Sequence, residues 1–495
     1  MTPDVSPLER CASGRWRDVF TLDLRSLALF RMGLGFLLLA DLGQRVPDLT
    51  AHYTDAGVLP RSANQELTQT MGTAWWSSPH MLDRSAEFQA VLFGIAAIAA
   101  IALTVGYRTR TATAISLFLL IGLQARNPML LEGGDVLLRC MLFWGLFLPL
   151  GAVASVDARG KTFPSRRVIS VGTTAFIVQL GLMYVFTAVM KTDGVWRHSF
   201  DAAYYSIGYD QYTTETGYRM MEHPELLRLS TAATLALEFI GPLLLLIPIG
   251  NAKFRIMAIA GFIGLHLGLS ACLNLGLFSW ICICSWLALL PSCVWDRMQP
   301  KPQVAPRWIG TSLSNAVAAA LLALVVVLNV ARLHASPYAA VMPQPFEALL
   351  RAIGLDQHWC MFSPSPPRFG GWLIIEGQLA DGSTVDLWHP ENGDLRAEPP
   401  LVSAEFASVP WRRCLVTLLE SPEPAHAKGV ADYFRRRWDE SHSPGRRVES
   451  LTMVFMLRPT AAPGRPPQPA IPVELYRWPN KGRGEPGASA YINSG

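Results

Sequence analysis

Nine stretches of roughly 20 mostly apolar residues punctuate the first two thirds of the chain, at about 25–44, 86–106, 111–126, 136–155, 168–190, 228–249, 254–272, 274–292 and 311–333. A helix rises 1.5 Å per residue, so about 20 residues cover the ~30 Å of hydrocarbon in a bilayer. Charged residues make up only 16% of the 495 positions and the mean hydropathy is +0.26, an apolar excess too large for a water-soluble core. The expected fold is an all-α polytopic membrane bundle of about nine spans, with the lipid bilayer as its first partner. The same numbers exclude a disordered chain, a collagen-like fibre and a cysteine-stapled secreted domain. A net charge of +4 gives no reason to expect a nucleic-acid partner. The first run is no cleaved leader: it starts late, contains Arg31, and runs into Asp41 and Arg45 without a small-residue cleavage site.

Orientation is read from the basic residues of the short loops. Arg108 and Arg110 join runs two and three, and Arg159, Lys161, Arg166 and Arg167 join four and five. Lys253 and Arg255 join six and seven, and Arg297, Lys301 and Arg307 join eight and nine. These loops fall on one side, together with Arg10, Arg15, Arg17 and Arg25 of the N-terminal segment 1–24. The expectation is a cell-membrane protein with a cytoplasmic N-terminus, a transmembrane domain over 25–333, and everything after about 334 outside.

The tail has another character. Trp372 to Leu379 and Ser383 to Trp388 are strand-like runs around Asp381-Gly382, a hairpin signal. A further strand is expected at Leu451–Leu457, after a helix near Val430–Trp438. Residues 334–478 thus read as an extracytoplasmic β-rich domain, and 479–495, rich in Gly and Pro, as a loose end. Cys140, Cys272, Cys282 and Cys284 lie in apolar runs, where a small apolar role suffices. Cys360 and Cys414 share the outer domain, so a disulfide between them is permitted but not compelled. No Cys/His cluster has zinc spacing, and there is no P-loop, GxSxG elbow or dinucleotide fingerprint.

Ionisable residues inside spans cost about 2.5–3.5 kcal/mol each on insertion scales. Asp41 and Arg45 are four apart, as are Asp135 and Arg139, spacings that place each pair on one helix face as a neutralising ion pair. Arg31 snorkels or meets another helix. Glu238 and His266 have no local partner, and either line a polar cavity or bond between helices. Lys191 stands apart. The chain has six lysines against 36 arginines, and Lys191 is the one at the outer membrane edge, against the positive-inside bias. Arg cannot lose its proton, whereas a desolvated Lys can. That suits a general base; the structural alternative is a snorkelling anchor partnered by Asp193.

The segment AVMKTDGVW (Ala188 to Trp196) resembles the catalytic-lysine segment of vitamin K-dependent γ-glutamyl carboxylase. FRMGLGFLLLADL (Phe30 to Leu42) is similar to that family's first span, and HLGLSACLNLGLFSW (His266 to Trp280) to its late His/Asn segment. HYTDAGVLPR (His52 to Arg61) and RNPMLLEGGD (Arg126 to Asp135) look like the bacterial branch, the horizontally transferred transmembrane (HTTM) proteins. The resemblance covers about 24–300. It implies that Lys191 deprotonates a reduced quinone of vitamin K or menaquinone type, that oxygen converts the quinol to an epoxide, and that the strong base so formed takes a γ-proton from glutamate before CO2 adds. Neither metal nor biotin takes part in that scheme. Such a base works in a dry cavity. Trp196 and Tyr184 would line it, with His266, Asn274, Asn127 and Glu238 as polar groups. The sequence departs from the family beside Asn127, where Pro128 replaces a histidine that assists the lysine.

Two readings follow: a quinol-dependent membrane carboxylase, a lyase and epoxidase acting on an exported protein or small acid, and a non-enzymatic HTTM protein serving partner binding, export or immunity. A transporter is disfavoured by the lack of paired, broken spans.

Overall fold

Helices account for every apolar run in a computed structural model, which describes residues 16–70, 78–297, 305–333, 342–391, 395–420 and 424–479. In chain order they are α1 (Leu24–Arg45), α2 (Ala86–Val105), α3 (Thr109–Arg126), α4 (Gly133–Gly145), α5 (Val171–Met190), α6 (Pro224–Leu244), α7 (Asn251–Cys272), α8 (Phe278–Leu287) and α9 (Ser312–Ala331). Side-chain caps set several starts: Asp23 accepts from Arg25 N, Ser85 from Phe88 N, Ser170 from Thr173 N and Thr311 from Ser314 N. Among the described residues six of these helices, α1, α2, α5, α6, α7 and α9, are long and apolar enough to cross a membrane. The expected nine are therefore supported as six. The other runs form helices that are short or polar: α4 has 13 residues and gives way to turns around Pro149, α8 has 10, and α3 carries Arg110, Gln124 and Arg126.

Neighbours in sequence pack together, α1 on α2, α5 on α6, α6 on α7 and α7 on α8, while α8 returns to α1 and α4, and α9 to α5. The turn that ends α2 carries the tightest approach. Gly106 ends α2 with a φ of 71°, and a Cβ there would lie 1.8 Å from Arg31 Nη1. Arg31 is fully buried and donates to the carbonyls of Leu103 (3.3 Å) and Ala154 (2.5 Å), so its partners are backbone oxygens. A small sheet gathers the beginnings of α1, α5 and α9 at one end: Leu22–Asp23 runs antiparallel to Arg167–Ile169, which runs parallel to Arg307–Trp308.

The C-terminal part contains α10 (Val409–Glu420), α11 (Pro424–Ser441) and an antiparallel sheet of β1 (Phe369–Leu379), β2 (Thr384–Asp386), β3 (Val448–Pro459) and β4 (Ile471–Trp478), in the order β2-β1-β3-β4. The Asp381-Gly382 turn is formed, with Gly382 at φ 80°. Helix α10 and strand β4 lie outside the sequence expectation, and residues 480–495, most of the expected loose end, lie outside the described ones. Cys360 is exposed, Cys414 buried, and both are free thiols.

The chain between α9 and β1 does not stay outside the bundle. Leu355, Gln357 and Trp359 are buried. Gln357 exchanges amide hydrogen bonds with Gln179 of α5 (2.6 and 3.2 Å), accepts from Trp359 Nε1 (2.8 Å), and its carbonyl accepts from Arg332 (2.7 Å). Helix α10 is anchored equally firmly: Arg413 donates to Leu131 O (2.7 Å), Thr417 to Met129 O (2.8 Å), and Trp411 to Asp48 (3.1 Å).

Candidate functional site

Lys191 is the residue that ends α5, and its side chain is buried. Its Nζ meets both carboxylate oxygens of Glu238 on α6, at 2.7 and 2.6 Å. The Trp196 ring lies 4.3 Å from the ammonium, a cation–π contact. Trp196 is itself held by donation from Nε1 to Phe362 O (2.9 Å), so the C-terminal part roofs the pair. Asp193 is not the lysine's partner. It accepts from Val195 N (2.8 Å) and Arg368 (3.2 Å), and its own N–H donates to Pro364 O (3.2 Å). Arg197 donates to the Lys191 carbonyl (2.8 Å), fixing the backbone at the helix end.

Tyr184 precedes Lys191 by seven residues, two turns or roughly 10 Å lower on the same face. Its hydroxyl accepts from Trp286 Nε1 (3.0 Å) on α8 and lies 2.7 Å from His266 Nε2 on α7. The Tyr184 oxygen can accept from Trp286 and still either donate to or accept from His266, so the direction of that bond follows the imidazole tautomer. Nδ1 is buried and has no hydrogen-bond partner. Phe262 stacks on Trp286 at 4.3 Å and lies 4.1 Å from Tyr184, closing an aromatic wall around the imidazole. Of the residues expected to line a cavity, Glu238 and Trp196 therefore gather at Lys191, and Tyr184 and His266 two turns below.

Asn127 and Asn274 do not join them. Asn127 is buried but spends its amide on the His52 carbonyl (3.0 Å) and on Met129 N (3.2 Å), capping a turn. The Asn274 side chain is exposed in the turn between α7 and α8.

A second charged cluster crosses α1 and α4. Arg45 donates to Asp41 (2.9 Å), to Asp135 (2.7 Å) and to the Tyr53 hydroxyl (2.8 Å), all buried. The expected pairing of Asp135 with Arg139 is not formed. Asp135 lies in the first turn of α4 and its other oxygen accepts from Glu132 N (2.9 Å), which turns it back from Arg139. Arg139 reaches instead to Asp356 (2.8 Å) and Gln124 (2.8 Å). A narrow cleft lies beside this cluster, lined by Asp41, Arg45, Glu132, Asp135, Phe278 and Val409 among others; Lys191 does not line it. Among the described residues no group of three His, Cys, Asp or Glu side chains is placed to hold a metal ion.

Long apolar helices holding ion pairs in their interior define an integral membrane protein. Residues 21–295, more than half of the chain, match the family model of the HTTM domain, and the chain belongs to that family. Comparison with curated proteins and with solved structures gave no match.

Sequence reasoning missed Glu132 and Arg412 as features of interest. Arg412 sits beside Arg413 with nothing in the local pattern to separate a surface arginine from a buried one.

Proposed function

We propose that this protein is a membrane carboxylase of the quinol-dependent type, in which the Lys191–Glu238 pair handles the proton. The observation that carries the reading is the burial of this one lysine against a single carboxylate under an aromatic lid. A cationic amine cannot accept a proton. Movement of one proton from Nζ to Glu238 leaves a neutral amine, and the short contacts to both oxygens make Glu238 the acceptor. Trp196 keeps water from the amine.

The residues present suit a reduced quinone: His266 Nδ1 is buried with its hydrogen-bonding capacity unused, and Phe262 and Trp286 offer flat faces. When bound, that group would supply, with oxygen, the base strong enough to activate a substrate for CO2 addition. His266 and Tyr184 would orient it, and the Lys191–Glu238 pair would take its proton. The substrate is an exported protein or small acid.

The test is Lys191→Arg, which keeps the ion pair but cannot shed its proton. Incorporation of labelled bicarbonate by membranes supplied with reduced menaquinone should fall at least a hundredfold, a step of the size general-base loss produces, with unchanged membrane levels. Full incorporation by this variant overturns the base assignment.

A specific observation favours the second reading, a non-enzymatic partner-binding, export or immunity protein. A closed, two-oxygen ion pair also serves as a staple between α5 and α6. On that reading Lys191→Arg is silent in every assay.

Both readings share one arrangement: nine crossings over residues 25–333, a cytoplasmic N-terminus in a bacterial inner membrane, and an outer module over 334–478. The small sheet supports it, because α1, α5 and α9 all start at the end where the basic loops gather. Alkaline phosphatase fused after residue 336 should be active; an inactive fusion with an active cytoplasmic reporter at the same point overturns the orientation.

A further inference from the structure

After α9 the chain forms a nine-residue helix, Gln344–Ala352, whose exposed side is apolar. Phe346 is 46% exposed and Leu349 42%, and Pro345, Ala348 and Ala352 stand with them. Its charges point the other way. Glu347 pairs with Arg332 at the end of α9 (2.8 Å) and faces Arg351 at 3.8 Å, while Leu350 is fully buried. A helix washed by water would turn Glu347 and Arg351 outward and hide Phe346 and Leu349.

The chain that follows descends between the helices. Gly354 packs on α3 so closely that a Cβ would lie 2.8 Å from Ile121 Cδ1. Gln357 reaches Gln179, which lies eleven residues, roughly 16 Å, before the end of α5 and well inside the ~30 Å of hydrocarbon. Leu350, Leu355 and Trp359 belong to the same apolar core as Phe30 of α1 and Phe176 of α5. Backbone that is not helical survives at such depth only where the protein itself satisfies its polar groups. Here four successive carbonyls are taken at 2.6 to 3.2 Å: Gly354 and Asp356 by Arg139, Leu355 by the Gln357 amide, and Gln357 by Arg332. The N–H groups of Gly354, Leu355 and Asp356 turn back to carbonyls of the helix they have just left.

We propose that residues 342–357 re-enter the outer half of the bilayer, with the Phe346–Leu349 face of their helix seated against lipid acyl chains. Position selects lipid as the occupant. The helix packs on α9, whose outer end exposes Val327 and Val330, so its apolar face continues the membrane-facing surface of a spanning helix. At roughly 14 Å long it is too small by itself for the ~800 Å² per partner of a stable protein interface. The outer module then begins after Gln357 rather than at 334. The contact is independent of proton handling at Lys191, and an inverted orientation would move it to the other leaflet without removing it.

The test places p-benzoylphenylalanine at Phe346, Leu349, Ile98 and Glu449 in turn, in the full-length protein in vesicles of phosphatidylethanolamine and phosphatidylglycerol. Irradiation and mass spectrometry then read the adducts. Ile98, exposed on α2, is the lipid-facing reference, and Glu449, exposed on β3, the aqueous one. Positions 346 and 349 should give roughly tenfold more phospholipid adduct than 449, and come within about twofold of 98, because acyl chains surround them. Hydroxyl-radical labelling of the parent in the same vesicles is a second readout that needs no substitution. Phe346 should be labelled less than Ile471 of β4, 39% exposed, although a phenyl ring is the more reactive group. Adduct at 346 and 349 no higher than at 449, crosslinks to a second copy in place of lipid, or Phe346 labelled as much as Ile471 overturns the proposal.

Discussion

Arg45→Met is expected to cost the bundle roughly 3–5 kcal/mol, the penalty for leaving a buried charge uncompensated. Arg45 is the cation between two buried aspartates, Asp41 on its own helix and Asp135 on α4, and it also holds the Tyr53 hydroxyl. Without it, two carboxylates face each other in an apolar interior. Unfolding in detergent, followed by tryptophan fluorescence, measures the loss. The triple variant Arg45→Met, Asp41→Asn, Asp135→Asn should recover most of it, since the amides remove the stranded charge. A loss below about 1 kcal/mol for Arg45→Met alone would show the cluster to be solvated.

The second large effect concerns Glu238. Glu238→Met strands the Lys191 ammonium with only the Trp196 ring for company, and should again cost about 3–5 kcal/mol. Lys191→Met should cost a similar amount by stranding the carboxylate. The double variant is expected near parental stability, because apolar side chains of similar volume replace a buried pair at little cost. Additive losses in the double variant would mean that the two side chains do not act as a pair. This measurement concerns stability alone, and so separates the pair's structural contribution from proton handling.

Much of the helical framework was legible in the chain because it is written in contiguous residues. Apolar runs near 20 residues long became helices, and Asp381-Gly382 became its hairpin turn. Lys191 was legible through its rarity. Its partner was not: Glu238 lies 47 residues away, and only the packing of α5 on α6 joins them. Spacing alone misled at Asp135, where four residues to Arg139 reads as a pair. The first turn of a helix has free N–H groups that claim such a carboxylate, and the Glu132 amide does so here. The resemblance alone implies a site role for Asn127, and the short turn after α3 takes up its amide. Helix α10 escaped because Pro410 and paired arginines resemble a polar loop; its burial depends on the loop at 129–131, nearly 300 positions earlier.

The burial of Leu355, Gln357 and Trp359 among the helices has a consequence for biogenesis. When α9 leaves the ribosome, Gln179 has Trp144 and Arg139 has Gln124, but their further partners Gln357 and Asp356 have not been synthesised. The last contacts among the helices of the bundle are therefore supplied by a segment that is synthesised after all of them. A chain cut between α9 and Gly354 would be inserted but never latched, and quality-control proteases would meet it as an unfinished product.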